Sequence, residues 1–334
     1  MRFDAILPNT NLSHVAGLAS CAEEEGFDAI WTQETSHDPF LPHALIAENT
    51  SRLKMGTGIA VAFSRSPMTL AYTAWDLAAQ SNGRFMLGLG TQVKAHIERR
   101  FGMEWPESVT AKLRDQILAI REIWKAWQSR EKLNYRGELY RLNLMTPFFS
   151  PEPIQHPQIP IYIAGVNKGL AELAGECAEG FMVHPFHTVE YLRAELYPRI
   201  EKGALNHGRQ AENVQKVLTI FCATNDIEKE ECRSQIAFYA STPAYKTVLD
   251  FHSRTEAAQN LSRLAVRGRW AEMSSLIDDD LLEKVCVLAC SPQELADKIE
   301  AKYSGVADRF SIYKMYHPGE SSELWQTLIR KFNT

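Results

Sequence analysis

Residues 53–90, LKMGTGIAVAFSRSPMTLAYTAWDLAAQSNGRFMLGLG, decide the fold of this chain because they contain one complete strand–helix–strand unit. The apolar run Leu53–Val61 predicts a buried strand. Met68–Gln80, which follows Pro67, has the apolar period of a helix. Arg84–Leu89 predicts the next strand. A repeated pattern of this kind indicates a parallel sheet covered by helices.

Strand–helix alternation extends over most of the chain on both sides of this unit. The predicted strands lie near residues 2–7, 28–32, 53–60, 84–89, 161–164, 180–183, 214–222 and 309–315. The last predicted helix is Ser291–Tyr303, and Lys132–Leu142 predicts a β-hairpin. Eight strands favour a closed (β/α)8 TIM barrel over an open sheet, as one domain over residues 1–334. Residues 225–280 break the alternation and predict a helical insertion.

Composition excludes several classes of protein. The chain has 334 residues, of which 45% are apolar and 23% charged, as in ordinary globular proteins. Its net charge of −5 argues against a nucleic-acid partner, and no apolar run is long enough to cross a membrane. The N-terminus lacks the apolar core of a signal peptide, so we expect a cytoplasmic protein with free thiols.

Known hydrolase and metal motifs are missing from the sequence. It contains no HExxH, GxSxG, CxxC or HxH pattern, so neither a metal site nor serine catalysis is expected. The polar groups on offer suit a protein that holds an organic cofactor, which brings its own chemistry. In a barrel, such groups belong at the C-terminal ends of the strands.

Three polar segments follow predicted strands. Glu34 and His37 lie in the first, where they could position a bound ring or exchange protons with it, and Asp38 suits a helix cap. The second, from Gly90 to Gly102, places His96 four residues from Arg100, so that the pair forms either an anion site or a solvated basic stretch.

The third polar segment runs from a strand directly into a helix at residues 163–170, IAGVNKGL. Amide groups at a helix N-terminus bind anions, and Lys168 adds charge, so this junction is a candidate phosphate site. Neither the dinucleotide nor the P-loop fingerprint is present. Glycines within the strand at Gly56 and Gly58 indicate close backbone approach, to a ligand or to a neighbour inside the barrel.

Taken in order, four blocks of sequence resemble the bacterial luciferase-like (LLM class) superfamily of flavin- and deazaflavin-dependent oxidoreductases. These blocks are residues 26–50, 53–77, 83–105 and 160–181. The later stretches at 236–245 and 267–273 are similar to the coenzyme F-420-dependent subgroup. The resemblance covers essentially the whole chain and implies the barrel fold reached above, with the cofactor ring in the mouth of the barrel.

The resemblance also implies the cofactor contacts. Glu34 matches an acidic residue that contacts the ring, and the Gly58–Ile59 step matches a non-proline cis peptide bond behind the ring. The ring and the ribityl chain are expected on Gly90, Thr91 and Gln92. The cofactor phosphate is expected on Ala164, Gly165, Val166, Asn167 and Lys168.

Two departures from the family concern proton transfer. Thr35 and Val93 stand where several deazaflavin dehydrogenases carry a His and a Glu, so those roles cannot be transferred. We therefore assign Glu34, His37 and His96 as the candidate catalytic residues. Luciferase-type FMN members tend to have an Arg in the loop that holds Thr91, and its absence here favours coenzyme F-420 over FMN.

These observations predict hydride transfer between coenzyme F-420 and a small organic substrate. The alternative is an FMNH2-dependent monooxygenase that needs a flavin reductase partner. A flavin-binding protein without turnover is a lower alternative, and a metal-dependent hydrolase is the least favoured. The family implies a homo-oligomer, a dimer or a tetramer. An apolar substrate wall is predicted from Phe40, Phe63, Trp105, Phe148, Phe149 and Phe186, with the insertion over the mouth.

Overall fold

The computed structural model describes residues 1–333, and they form a barrel of parallel strands surrounded by helices. The strands are β1 Arg2–Phe3, β2 Ala5–Ile6, β3 Ala29–Thr32, β4 Lys54–Thr57, β5 Ala60–Val61, β6 Phe85–Gly90, β7 Tyr135–Arg136, β8 Arg141–Leu142, β9 Ile161–Gly165, β10 Gly180–Val183, β11 Gln215–Ala223, β12 Cys286–Leu288 and β13 Arg309–Ile312. The helices are α1 Leu12–Glu25, α2 Leu41–Asn49, α3 Pro67–Gln80, α4 Lys94–Arg99, α5 Val109–Ser129, α6 Lys168–Cys177, α7 Val189–Tyr191, α8 Tyr197–Asn206, α9 Asp226–Ala240, α10 Lys246–Phe251, α11 Thr255–Val266, α12 Asp279–Val285, α13 Pro292–Tyr303 and α14 Ser322–Phe332.

The sheet closes on itself through its first strand. The order of strands is β1-β13-β11-β10-β9-β6-β4-β3-β2, and every pair in it is parallel. Its two ends, β1 and β2, are consecutive pieces of one strand interrupted at Asp4. β5 continues β4 and pairs with β6. The barrel therefore has eight strand positions, with β1–β2 and β4–β5 each counted as one, and the predicted eight-stranded barrel is confirmed.

Two elements differ from the sequence prediction. Strand β12 pairs with β11 outside the ring, at Phe221–Ala223. Helix α14 follows the last strand, so the prediction that Ser291–Tyr303 is the last helix is wrong. The apolar side of α14 packs into the core through Trp325, Leu328 and Phe332. The predicted hairpin is confirmed by the antiparallel pair β7–β8.

Apolar side chains fill the interior of the barrel. Trp31, Met86, Tyr162 and Val217 form a cluster that is separate from the core between strands and helices. The Trp31 ring lies so close to Gly56 that a Cβ there would stand 2.5 Å from a ring carbon. The glycine at position 56 is therefore required by packing inside the barrel.

A buried group of charges lies beneath this cluster, at the N-terminal end of the barrel. Arg309 contacts one carboxylate oxygen of Asp4 at 2.7 Å and one of Asp28 at 2.6 Å. The side chains of Asp4 and Arg309 are 0% and 4% exposed. The indole N–H of Trp31 also donates to Asp4, at 2.8 Å. The buried ion pairs and the apolar cluster above them together fill this end of the barrel.

The segment between β11 and β12 is helical and contains α9 to α12. Helix α9 lies against β11 and against α11, so the segment is joined to the barrel next to the C-terminal end of β11. No helix among residues 1–333 is both long and apolar enough to span a membrane.

Candidate active site at the barrel mouth

One half of the barrel mouth is built from small residues. Side chains alternate between the two faces of a strand, so the residue two positions after an interior residue also faces the interior. Gly58 follows Gly56, Gly90 follows Gly88, and Ala164 follows the interior residue Tyr162. The tops of β4, β6 and β9 therefore carry no bulky side chains, and neighbouring side chains pack closely on the glycines: a Cβ on Gly58 would lie 3.2 Å from Met182. We call Gly58, Gly90 and Ala164 the small half of the mouth.

The opposite half of the mouth is aromatic. By the same alternation, three further residues face the interior at the mouth: His184, two positions after Met182; Phe221, two after Thr219; and Tyr313, two after Ser311. The hydroxyls of Ser311 and Thr219 lie 3.1 Å apart inside the barrel. Two tyrosines from the helical segment 225–280 join them. We call the set His184, Phe221, Tyr239, Tyr245 and Tyr313 the aromatic half.

The step from Gly58 to Ile59 is a cis peptide bond, as the family resemblance implied. The Gly58 N–H donates to the carbonyl of Thr32 at 2.6 Å. The N–H of Glu34 donates to the carbonyl of Ile59 at 3.2 Å. Both residues of the cis peptide bond are thus hydrogen-bonded to the end of β3 and the segment that follows it.

The carboxylate of Glu34 is buried and fastens the same region. Its Oε2 accepts the N–H of Val61 at 2.6 Å and a guanidinium N–H of Arg65 at 2.7 Å. Arg65 also contacts Asp38, at 3.3 Å. The carboxylate therefore holds the backbone around the cis step with Oε2, and Oε1 has no hydrogen-bond partner within residues 1–333.

Replacing Glu34 by glutamine is expected to lower the free energy of unfolding by about 2 kcal/mol, because a buried charged hydrogen bond to Arg65 becomes a neutral one. Asp38→Asn is the matched control. It touches the same arginine from an exposed position and keeps its capping oxygen, so its loss should stay below about 1 kcal/mol. Urea unfolding measures both; equal losses would contradict the anchoring role of Glu34.

The two histidines predicted to exchange protons are exposed. His37 lies in the turn after β3, and His96 lies on α4 after β6. Arg100 ties these segments together by donating to the carbonyl of Thr35 at 2.5 Å. Asp38 accepts the N–H groups of Phe40 and Leu41 at the start of α2, although the N-cap residue of that helix is Phe40. The structure thus brings both histidines to the rim of the mouth, outside its buried part.

The loop Gly90–Thr91–Gln92 rises from β6 beside the small half. Gly90 and Thr91 are buried and Gln92 is half-buried, with a positive φ of 59°. The Gln92 side chain accepts the N–H of Val93 at 3.1 Å, which folds it back onto its own backbone. A Cβ on Gly90 would lie 2.6 Å from the Ile59 side chain, so Ile59 covers this glycine.

The predicted phosphate loop joins β9 to α6. Asn167 caps α6 by accepting the N–H of Leu170 at 3.0 Å. Lys168 is paired with Glu195 and remains half-exposed. Tyr191, which sequence reasoning missed, donates its hydroxyl to the carbonyl of Val166 at 2.9 Å and lies 3.2 Å from the Thr247 hydroxyl. It therefore ties this loop to the helical segment.

The aromatic wall predicted from sequence is wrong in its members. Phe63 and Phe186 are fully buried in the core and Phe40 nearly so, whereas Phe148 is 89% exposed on the connector before β9. Apolar identity alone does not say which face a side chain occupies. The aromatic half was missed, although the two-residue step from Met182 to His184 signals that His184 faces inward.

Burial sets the protonation of the histidines after β10. Desolvation lowers the pKa of His184 to about 3 and that of His187 to about 4, so both are neutral at pH 7. Nδ1 of His184 accepts the N–H of Phe186 at 3.2 Å, which assigns the ring proton to Nε2. His184 therefore offers a hydrogen-bond donor at the mouth and no charge.

Comparisons with known proteins agree with this geometry. Residues 1–309 match the family model described as luciferase-like monooxygenase. An uncharacterised protein of Mycobacterium tuberculosis is 41% identical over 315 residues, 92% of each chain. The F420-dependent glucose-6-phosphate dehydrogenase of Amycolatopsis mediterranei is 27% identical over 296 residues, 84% of this chain and 81% of that protein.

The fold is shared with a solved structure, the coenzyme F420-dependent tetrahydromethanopterin reductase from Methanopyrus kandleri. The superposition has a TM-score of 0.78 at 21% identity and covers 99% of this chain and 97% of the reductase. The family match extends over most of the chain, and the barrel and the cis step are in place. The chain belongs to the luciferase-like monooxygenase family.

Proposed function

We propose that this chain is a coenzyme F420-dependent oxidoreductase that transfers a hydride to or from a small organic substrate. One observation carries the proposal: the mouth is divided into a small half and an aromatic half, so that a planar cofactor can lie over the first and face a substrate on the second. The alignment with F420-dependent relatives over most of the chain supports F420 over FMN. The absence of Arg from residues 90–93 points the same way.

The residues at the small half fit a deazaflavin. Gly58, Gly90 and Ala164 provide a floor without bulky side chains, and Oε1 of Glu34 is free to meet a polar edge of the ring. The first N–H groups of a helix have no partner within it, and at α6 they lie in the exposed turn that begins at Lys168. These groups would hold the phosphate.

Bound at this site, a deazaflavin supplies or accepts a hydride at ring carbon 5. The chain's own residues would orient it through Gly90, Thr91 and Gln92 and shield it with the helical segment 225–280. We further propose His37 and His96, at the rim, as the groups that exchange the second proton with water. Neutral His184 would face the substrate.

Titration of the purified chain with F420 and FMN, each oxidised and reduced, tests this function. We expect F420 to bind at least tenfold more tightly than FMN. Lys168→Met should weaken F420 binding about threefold to tenfold, and should leave the phosphate-free deazaflavin fragment unaffected. Lys202→Met, which removes a similarly exposed lysine paired with Glu172, is the control. Preference for FMN, or binding of neither cofactor, would contradict the proposal.

The second candidate function is an FMNH2-dependent monooxygenase, and it is favoured by the match to a family described as luciferase-like monooxygenase. The same mouth would then hold reduced FMN, and a flavin reductase partner would supply it. Oxygen consumption by the chain with reduced FMN separates the two functions, because a deazaflavin reacts poorly with oxygen. We also propose a cytoplasmic homo-oligomer, to be tested by sedimentation.

A further inference from the structure

We propose that the aromatic half binds a planar, uncharged carbonyl compound, an aryl ketone or a conjugated enone, with the carbonyl oxygen on Nε2 of His184. The inference rests on the function proposed above and names its substrate class. It draws on four features of the aromatic half: the arrangement of its rings, the tautomer of His184, the charges beside it, and a pair of tyrosine hydroxyls.

The rings surround His184 on two sides. Tyr245 stacks on it, with centroids 4.1 Å apart and an interplanar angle of 20°. Tyr239 meets it edge-on, with centroids 4.5 Å apart. Tyr313 extends the surface, and the fully buried Phe221 packs against it with ring centroids 4.5 Å apart. Such a surface binds flat, apolar groups by stacking.

Hydrogen bonding selects an acceptor on the ligand. The tautomer assigned above leaves His184 with Nε2–H directed away from its bond to Phe186. Nε2 of His184 forms no hydrogen bond within residues 1–333, so a ligand that brings an oxygen acceptor would pair with it. A carbonyl group supplies that acceptor, and a hydrocarbon of the same shape does not.

Charge excludes anionic substrates. A cavity of about 930 Å³ adjoins Phe221 and Tyr313 and is lined otherwise by α9 and by Leu295 and Leu324 of the outer helices, whereas His184, Tyr239 and Tyr245 do not line it. Four carboxylates line it: Asp226, Glu228, Glu230 and Glu231. Lys314, which adjoins Tyr313, is paired with Glu228 at 3.1 Å, and Lys246, which adjoins Tyr245, lies 3.5 Å from Asp250. Both lysines that adjoin tyrosines of the aromatic half are therefore already paired with carboxylates. Nε2–H, a donor, likewise disfavours a cationic ligand.

The tyrosine hydroxyls provide a proton route. The hydroxyls of Tyr239 and Tyr313 share a hydrogen bond of 2.6 Å, and Tyr313 is 36% exposed. The pair therefore connects Tyr239, which packs against His184, to solvent. In reduction, the hydride and its two electrons add to the carbonyl carbon, the C=O π bond breaks, and the oxygen takes a proton from water through this pair. The oxidised cofactor releases its second hydrogen to water as a proton, which balances the step.

A binding experiment without turnover tests the substrate class. The chain is loaded with whichever oxidised cofactor binds and titrated calorimetrically with acetophenone, benzoate and benzamidinium, three flat molecules that differ in charge. We expect acetophenone to bind at least tenfold more tightly than either ion. Tighter binding of benzoate or benzamidinium would overturn the proposal. Failure of every cofactor to bind would overturn the proposed function as well, whereas a loaded chain that ignores acetophenone overturns only this inference.

Two variants separate a substrate contact from a packing role. His184→Phe keeps the stack on Tyr245 and removes the donor, so acetophenone should bind about tenfold more weakly while its hydrocarbon isostere, α-methylstyrene, is unaffected. Tyr313→Phe should leave the Kd of acetophenone unchanged and lower kcat for its reduction. Phe148→Leu, on the exposed connector, is the control. Equal losses for both ligands in His184→Phe would overturn the hydrogen bond.

Discussion

Arg309→Met is expected to lower the free energy of unfolding by about 3–5 kcal/mol, because it leaves two carboxylates without their cation. Burial raises the pKa of Asp4, and the nearby guanidinium of Arg309 works against that rise. The same guanidinium, although desolvation opposes it, holds the pKa of Asp28 below its usual range. Without Arg309, Asp4 must either stay charged in an apolar setting or take up a proton. Both alternatives cost free energy.

Lys54→Met is the matched control for this substitution. Lys54 contacts the same carboxylate of Asp28 at 3.4 Å, but its side chain is 48% exposed. Exposed pairs contribute at most about 1 kcal/mol, so this variant should unfold close to the wild type. Urea unfolding at pH 7 measures both. A loss below about 1 kcal/mol for Arg309→Met would refute the idea that the buried ion cluster holds the end of the barrel.

The second large effect is expected on acidification. Burial lowers the pKa of His43 and His184 to about 3 and that of His187 to about 4. In the unfolded chain these groups titrate near 6.5. Below that pH the unfolded state binds protons that the folded state rejects. The stability of the fold is therefore complete above about pH 7 and is lost as the pH falls from 6.5 toward 4.

The size of this effect follows from proton linkage. Each of the three groups removes up to about 1.4 kcal/mol per pH unit, so lowering the pH from 7 to 5 should cost about 4–6 kcal/mol in total. Urea midpoints over that range measure it. His43→Phe should remove roughly one third of the pH slope, whereas His37→Ala, at an exposed site, should leave the slope unchanged. A flat profile between pH 7 and 5 would contradict the neutral, buried state of these histidines.

The barrel was predictable because its signals are local. Each barrel strand is a short apolar run followed by a helix, and eight such units leave few alternatives. The helix Ser322–Phe332 was missed although its apolar residues recur at helical spacing from Leu324 to Phe332. Cys286–Leu288 was missed for a better reason: three residues carry too little pattern, and their pairing depends on where β11 extends beyond the ring.

The site was predictable only where it follows the chain. The cis step at Gly58–Ile59 was implied by the family resemblance and is present, and Asp38 bonds to the start of the helix that follows it. The aromatic half joins His184 to Tyr239 and Tyr313, which are 55 and 129 positions away. No local period records that contact. The assignments of Glu34, His37 and His96 to catalysis remain predictions.

The closed lower end of the barrel determines how ligands can reach the interior. Asp4, Arg309 and the cluster around Trp31 obstruct that end, so a cofactor and a substrate bound as proposed would both enter from the mouth. Two molecules that enter a cavity closed at one end must bind one after the other. Because the proposed cofactor and substrate would use the same entrance, kinetics should show a compulsory order of addition. Opening the lower end of the barrel would not remove that order, because it would first disrupt the interior packing that supports both binding sites.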